Sequence, residues 1–179
     1  MPQDILREMW LGVRRFWGLR WFVKGPTLAG AVALVAVVAA LAVAGTLGGG
    51  GAEAERHVNQ GLALQEKGRL EEAIGEYGEA IQLDPNLVEA YVNRSAAYGE
   101  LGDFEQALAD ADRAVELDPD DAGGYVNRGI SHLLLGDVQQ AIADFDKAIK
   151  LDPGLVQAYN ERGLAYSELG DYEHAIADL

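Results

Sequence analysis

The fold is decided by residues 88–121, which read VEAYVNRSAAYGELGDFEQALADADRAVELDPDD. The pair Asp118-Pro119 near the end of this stretch recurs as Asp84-Pro85 and Asp152-Pro153, at a constant spacing of 34 residues. Proline disfavours the helical conformation in the residue before it, so each pair predicts the end of a helix. A fixed period of this length predicts a stack of similar units, each built from two helices.

Each unit repeats the same landmarks at the same offsets. An aromatic or ring side chain early in the first helix is followed four residues later by a small residue. These pairs are Tyr91 with Ser95, Tyr125 with Gly129, Tyr159 with Gly163 and His57 with Gly61. The second helix carries alanines at Ala73, Ala107, Ala141 and Ala175, and again at Ala80, Ala114 and Ala148. Small residues let the two helices pack closely, and large ones such as Tyr77 and Phe145 fill the space towards the next hairpin.

The turn inside a unit reads Leu-Gly-Asp at 101–103, 135–137 and 169–171. We expect the glycine to adopt the left-handed conformation that ends the first helix. We also expect Asp103, Asp137 and Asp171 to accept free amide protons at the start of the second helix.

Over residues 54–179 these landmarks resemble the tetratricopeptide-repeat (TPR) family. The resemblance implies an all-α fold, a right-handed α-solenoid of helix hairpins, with units at 54–87, 88–121, 122–155 and a shorter one at 156–179. It also implies that the first helices line a concave groove, which binds a protein or peptide partner. The inward positions carried over to this sequence are Val58, Asn59, Leu62, Val92, Asn93, Ala96, Val126, Asn127, Ile130, Asn160, Glu161 and Leu164.

Three asparagines, Asn59, Asn93 and Asn127, share one register of this groove. An amide both donates and accepts, so such a row can hold a ligand's peptide backbone, or it can be hydrated or bond neighbouring helix ends. The fourth unit departs from the row with Glu161. Family members that bind a chaperone tail use a lysine and an asparagine to hold two carboxylates of that tail. Val58 and Leu62 occupy those positions here, so the resemblance does not imply a chaperone ligand.

The amino-terminal part has a different composition. No charged residue occurs from Gly25 to Ala52, and Thr27–Leu47 would be roughly 31 Å long as a helix, enough to cross a hydrocarbon core of about 30 Å. We therefore predict a transmembrane helix at 25–47 and a glycine-rich linker at 48–53. Basic residues on the amino side predict a single-pass protein with a cytoplasmic amino terminus and extracytoplasmic repeats. The alternative is a cleaved signal peptide and a secreted protein, because Ala42-Val43-Ala44 fits the cleavage pattern.

Residues 1–24 combine aromatic and basic side chains. Trp10, Trp17 and Trp21 follow the spacing of one helical face, which is typical of a membrane anchor lying in the headgroup layer of the lipid bilayer. The same face could instead dock against other subunits of a membrane complex.

Charge and composition exclude several classes of function. Residues 1–52 hold five basic and two acidic side chains, so the total of −15 leaves −18 for residues 53–179, which argues against nucleic-acid binding. The chain has no cysteine, and His57, His132 and His174 share no metal-ligand spacing. We therefore expect a non-enzymatic scaffold without a cofactor, or alternatively an accessory subunit of a larger membrane complex.

Overall fold

The computed structural model describes residues 50–178, and those residues form helices joined by short turns. The helices pair into four hairpins, α1–α2, α3–α4, α5–α6 and α7–α8, as the 34-residue period predicts. Their bounds are 50–65 for α1, Leu70–Leu83 for α2, Val88–Leu101 for α3, Phe104–Leu117 for α4, Ala122–Leu134 for α5, Val138–Leu151 for α6, Val156–Glu168 for α7 and Tyr172–Ala177 for α8.

Consecutive helices pack against one another along the chain, and so do the first helices of neighbouring hairpins, α3 with α5 and α5 with α7. This is the arrangement of a TPR-like solenoid, because each hairpin contacts the next and buries a shared core. Three Asp-Pro pairs end α2, α4 and α6, as predicted. Asp84, Asp118 and Asp152 are extended there, and each side chain accepts an amide proton two residues on.

The turns inside the hairpins confirm the predicted glycine conformation. Gly102, Gly136 and Gly170 have φ values of 92°, 89° and 76°, which lie in the left-handed region. Gly68 takes the same conformation in the first hairpin, with φ 72°. A residue with a Cβ would be strained at these four places.

The predicted capping role of the turn aspartates is wrong for two of the three. Only Asp171 accepts an amide proton, from His174 at 3.3 Å, whereas the side chains of Asp103 and Asp137 make no such bond. Asp121 caps α5 instead, accepting from the amides of residues 123 and 124. Asp121 has the extended backbone usual for a cap, with ψ 110°, while Asp103 and Asp137 have ψ near 60°. Asp171 has an intermediate ψ of 73°, and its bond is long.

The predicted glycine linker at 48–53 also differs from the structure, because residues 50–53 belong to α1. Ala54 in the next turn is fully buried, and a Cβ on Gly50 would lie 3.6 Å from the carbonyl oxygen of Leu83 at the end of α2. Burial against α2 thus outweighs the weak helix propensity of glycine, about 1 kcal/mol per residue.

In the core of the first and third hairpins, a glycine on the first helix faces a large aromatic ring on the second helix. A Cβ on Gly61 would lie 2.4 Å from the Tyr77 ring, and one on Gly129 would lie 2.6 Å from the Phe145 ring. Both rings are fully buried. In the second hairpin the equivalent pair is Ser95 with Ala111. A large ring therefore sits where the facing residue has no side chain.

The predicted transmembrane helix at 25–47 and the aromatic segment at 1–24 lie outside the described residues. Among the helices of residues 50–178, none combines the length and the apolar character needed to span a bilayer.

Candidate protein-binding groove

A cleft of about 310 Å³ opens between the first helices of the second and third hairpins, with Gln157 of α7 at its edge. Its apolar part consists of Ala96 from α3 and of Ile130 and Leu134 from α5. Leu134 is 49% exposed although it is aliphatic. The lining residues are Ser95, Ala96, Gly99, Glu100, Asn127, Ile130, Ser131, Leu134 and Gln157.

The 34-residue period extends this surface to the other hairpins. Leu62 in α1 and Leu164 in α7 are equivalent to Ala96 and Ile130 in the cleft. Leu164 is 58% exposed, and Leu62 is half-buried. We call the surface formed by the cleft and these equivalent positions the groove. Each first helix thus places an apolar residue at this register, partly buried at Leu62, Ala96 and Ile130 and exposed at Leu164.

Two residues predicted for the groove are instead part of the core. Val58 and Val126 are each 2% exposed. Val58 belongs to the core cluster that contains Tyr77 and Ala90, and Val126 belongs to the cluster that contains Ala148. Consecutive residues of an α-helix are about 100° apart around its axis. A small error in predicting which face points inward therefore assigns a core residue to the surface. Val92, at the same register, is half-buried.

The three asparagines of the row differ in their bonds. The side-chain amide of Asn59 donates to the carbonyl oxygen of Glu55 in its own helix, at 2.9 Å. That of Asn127 donates to the carbonyl oxygen of Val92 in the neighbouring first helix, at 2.8 Å. Asn93 is half-buried. Asn127 thus links α5 to α3 beneath the cleft, which is the helix-bonding alternative considered above.

The last unit presents Asn160 exposed and Glu161 half-buried. Burial disfavours the charged carboxylate, so the pKa of Glu161 is raised above its ordinary value.

Between the first and second hairpins, two consecutive hydrogen bonds connect the core with the groove. The buried hydroxyl of Tyr77 donates to the Gln65 side chain at 2.9 Å, and the Gln65 amide donates to the carboxylate of Glu100 at 2.6 Å. The pKa of Tyr77 is raised to about 12, mainly by burial and also by the charges of Glu100 and Glu89. Glu100 thus receives one hydrogen bond from the first hairpin while remaining exposed at the groove.

Arg94, Arg128 and Arg162 recur at the 34-residue period, and the structure shows which side chain each of them binds. Each arginine makes a two-bonded ion pair with an aspartate 16 residues on, in the second helix of its hairpin: Arg94 with Asp110, Arg128 with Asp144 and Arg162 with Asp178. These aspartates are nearly buried, with side chains 10%, 8% and 7% exposed. The recurrence of Arg and Asp at this fixed offset was the available signal.

These pairs direct the guanidinium groups away from the groove. Arg128 and Arg162 also reach back to Asp112 and Asp146 in the preceding second helix. The pKa of each arginine is raised, chiefly by the hydrogen bonds that it donates to its aspartate partner. The interactions are intramolecular, so the arginines serve the packing of hairpins.

The histidines do not come together within residues 50–178. His57 lies 2.7 Å from the carboxylate of Glu76, and His174 lies 2.7 Å from that of Asp171. His132 belongs to a third hairpin. No group of three or more His, Cys, Asp or Glu side chains in the described part of the chain is arranged to hold a metal ion. The predicted anchor residues Trp10, Trp17 and Trp21 lie outside the described residues.

Comparison with known families supports the repeat pattern. Three family models match: one described as Tetratricopeptide repeat over residues 92–156, one as TPR repeat over 61–102 and another Tetratricopeptide repeat over 145–177. No curated protein matches the chain at a significant level.

Solved structures with similar folds include the first TPR of Spaghetti (RPAP3) bound to the HSP90 peptide SRMEEVD. It is 27% identical, with a TM-score of 0.65 over 67% of this chain and 95% of that one. MamA is 26% identical, with a TM-score of 0.64 over 70% and 73% of the two chains. The TPR domain of Arabidopsis OM64 is 28% identical, with a TM-score of 0.64 over 66% and 98%.

Proposed function

Since the chain carries tetratricopeptide repeats over residues 61–177, we propose that it is a scaffold that binds a segment of a partner protein along its groove. The fold is typical of proteins that mediate protein–protein interaction. The observation that carries the proposal is the line of accessible apolar residues on successive first helices, of which Leu134 and Leu164 are the most exposed. Exposed aliphatic side chains in one concave surface gain free energy when a partner removes them from water.

The polar residues of the groove suit a peptide segment. Asn93 and Asn160 offer amide groups next to the apolar line, and amides bond a peptide backbone without regard to its sequence. The first TPR of RPAP3 is bound to a peptide of HSP90, which supports this mode of binding. We do not extend that ligand to this chain, because Glu100 and Glu161 give the groove negative charge, which repels an acidic peptide.

We further propose that residues 25–47 tether the scaffold to a membrane. The support is the uncharged run Thr27–Leu47, which matches a bilayer in length, and the preceding segment with Trp10, Trp17 and Trp21. A scaffold held in this way would act on partners at the membrane surface. Membrane fractionation and the intact mass of the mature protein test the tether, since signal-peptide cleavage would remove this run.

The groove proposal is tested by variants that change it without touching the core. The double variant Leu134→Lys with Leu164→Lys puts charges on two exposed groove positions, and we expect it to abolish co-purification of the partner. Ile176→Lys is the matched control, because Ile176 is 73% exposed but lies on a second helix. Partner binding that survives the double variant contradicts the proposal.

The second candidate is an accessory subunit of a larger membrane complex, held by its amino-terminal segments. The concentration of all three tryptophans within residues 1–24 favours it. It predicts that replacing Trp10 and Trp17 by alanine releases the protein from its complex, while the groove double variant leaves the association intact.

A further inference from the structure

The groove carries acidic side chains and an apolar centre. Gln157 and Glu100 line the cleft. In other hairpins, the position of Gln157 is held by Glu55 and Glu89, and the position of Glu100 is held by Glu66 and Glu168. With Glu161, which replaces the asparagine of the last unit, the carboxylates of the groove are Glu55, Glu66, Glu89, Glu100, Glu161 and Glu168. The third hairpin is the exception, because it has Gly123 and Leu134 at the positions that elsewhere hold glutamate.

No basic residue of the described chain occupies a groove position to neutralise these carboxylates. On the first helices, Arg94, Arg128 and Arg162 are bound to aspartates of the second helices. Arg56 of α1 is paired with Glu53 in its own helix. Gln65, which donates to Glu100, is neutral. The negative charge of the groove is therefore left for a ligand.

One core side chain and one groove side chain have raised pKa values. The pKa of Tyr77 is raised by burial and then by Glu100 and Glu89, and that of Glu161 is raised by burial. A cationic ligand would stabilise the charged form of Glu161, because an opposite charge offsets the cost of desolvation.

We propose that the groove selects a peptide segment in which Lys or Arg residues flank an apolar residue, with the apolar side chain in the cleft beside Ile130 and Leu134. The flanking cations lie against glutamates of the second and fourth hairpins, such as Glu100 and Glu161. This inference rests on the proposed function and names the class of partner. Charge complementarity of this kind adds specificity and speeds association.

The test uses the full-length chain in mild detergent and a display library of random nonapeptides. We expect the selected peptides to be enriched in Lys and Arg on both sides of an apolar residue and depleted in Asp and Glu. For one selected peptide, the double variant Glu89→Gln with Glu100→Gln should weaken binding roughly tenfold, as the loss of two partly exposed ion pairs predicts. The control is Glu79→Gln with Glu105→Gln, which removes the same charge from exposed positions on the second helices.

The outcomes separate the inference from the proposed function. Selected peptides that lack a basic bias, yet lose binding in Leu134→Lys, overturn the inference and leave the groove as the binding site. A basic bias that persists in Glu89→Gln with Glu100→Gln, or that the control variant removes equally, also overturns the inference. If no peptide is selected, or if binding ignores Leu134→Lys, the proposed function fails and the inference fails with it.

Discussion

Replacing Gly129 by alanine should destabilise the repeats, although alanine is the better helix former. The added Cβ would lie 2.6 Å from Cε1 of Phe145 and below 3.0 Å from two further ring atoms. Phe145 is fully buried, so its ring cannot move into solvent. Overpacking of this kind costs about 1–3 kcal/mol, against a gain of about 1 kcal/mol in helix propensity. We expect a net loss of about 1 kcal/mol.

The assay is urea unfolding followed by circular dichroism, with Gly75→Ala as the matched control. Gly75 is exposed within α2, and nothing lies within 4 Å of the position of its Cβ, so the control should gain about 0.5–1 kcal/mol. The double variant Gly129→Ser with Phe145→Ala copies the pair found in the second hairpin and should not show the clash. If Gly129→Ala and Gly75→Ala shift the unfolding midpoint equally upwards, the size-matching argument is refuted.

Three other predictions concern charge. Replacing Arg128 by alanine removes the guanidinium partner of the nearly buried Asp144 and should lower the free energy of unfolding in urea by about 3 kcal/mol. A loss below about 1 kcal/mol would contradict this. Gly78→Asp should raise the free energy of unfolding by about 0.5–1 kcal/mol, because a Cβ at this position would lie 3.6 Å from Nη1 of Arg94 and its carboxylate could pair with that group. An unchanged unfolding midpoint would refute this prediction. The folded-state pKa of Tyr77, about 12, exceeds its ordinary value of 10, so the folded form retains the proton and stability should fall between pH 10 and 12. Tyr77→Phe should flatten that decline in pH-dependent unfolding, and an unaltered decline would exclude Tyr77 as its source.

Local signals in the sequence were sufficient for the hairpins and their turns. The conformation of Gly102 and the helix stop at Asp118 depend on residues within a few positions, and both were predicted correctly. The 34-residue period then placed the remaining units, because equivalent residues face equivalent neighbours. The linker prediction failed at Gly50, where packing against α2 outweighs the local preference of glycine.

The groove was harder to predict than the helices. Val58 and Val126 were predicted to line the groove but lie in the core. To place them correctly, one must know the angle at which each first helix packs against its partner, and periodicity alone does not give that angle. The bond from Asn127 to Val92 likewise crosses between hairpins and has no local signal. The pairing of Arg94 with Asp110 was visible as a repeated offset, but its geometry depends on how close the two helices lie.

The ionic bridges between hairpins are unevenly distributed, and this bears on the order of local unfolding. Arg128 and Arg162 each join their own hairpin to the preceding one through Asp112 and Asp146. The equivalent residue in the first hairpin is Gly78, so Arg94 has no such aspartate to pair with. In a repeat protein, stability is approximately a sum of terms for units and for the interfaces between them. The interface between the first and second hairpins lacks one such term. Hydrogen exchange should accordingly show the backbone amides of α1 and α2 opening as a cooperative group, separately from those of α5 and α6.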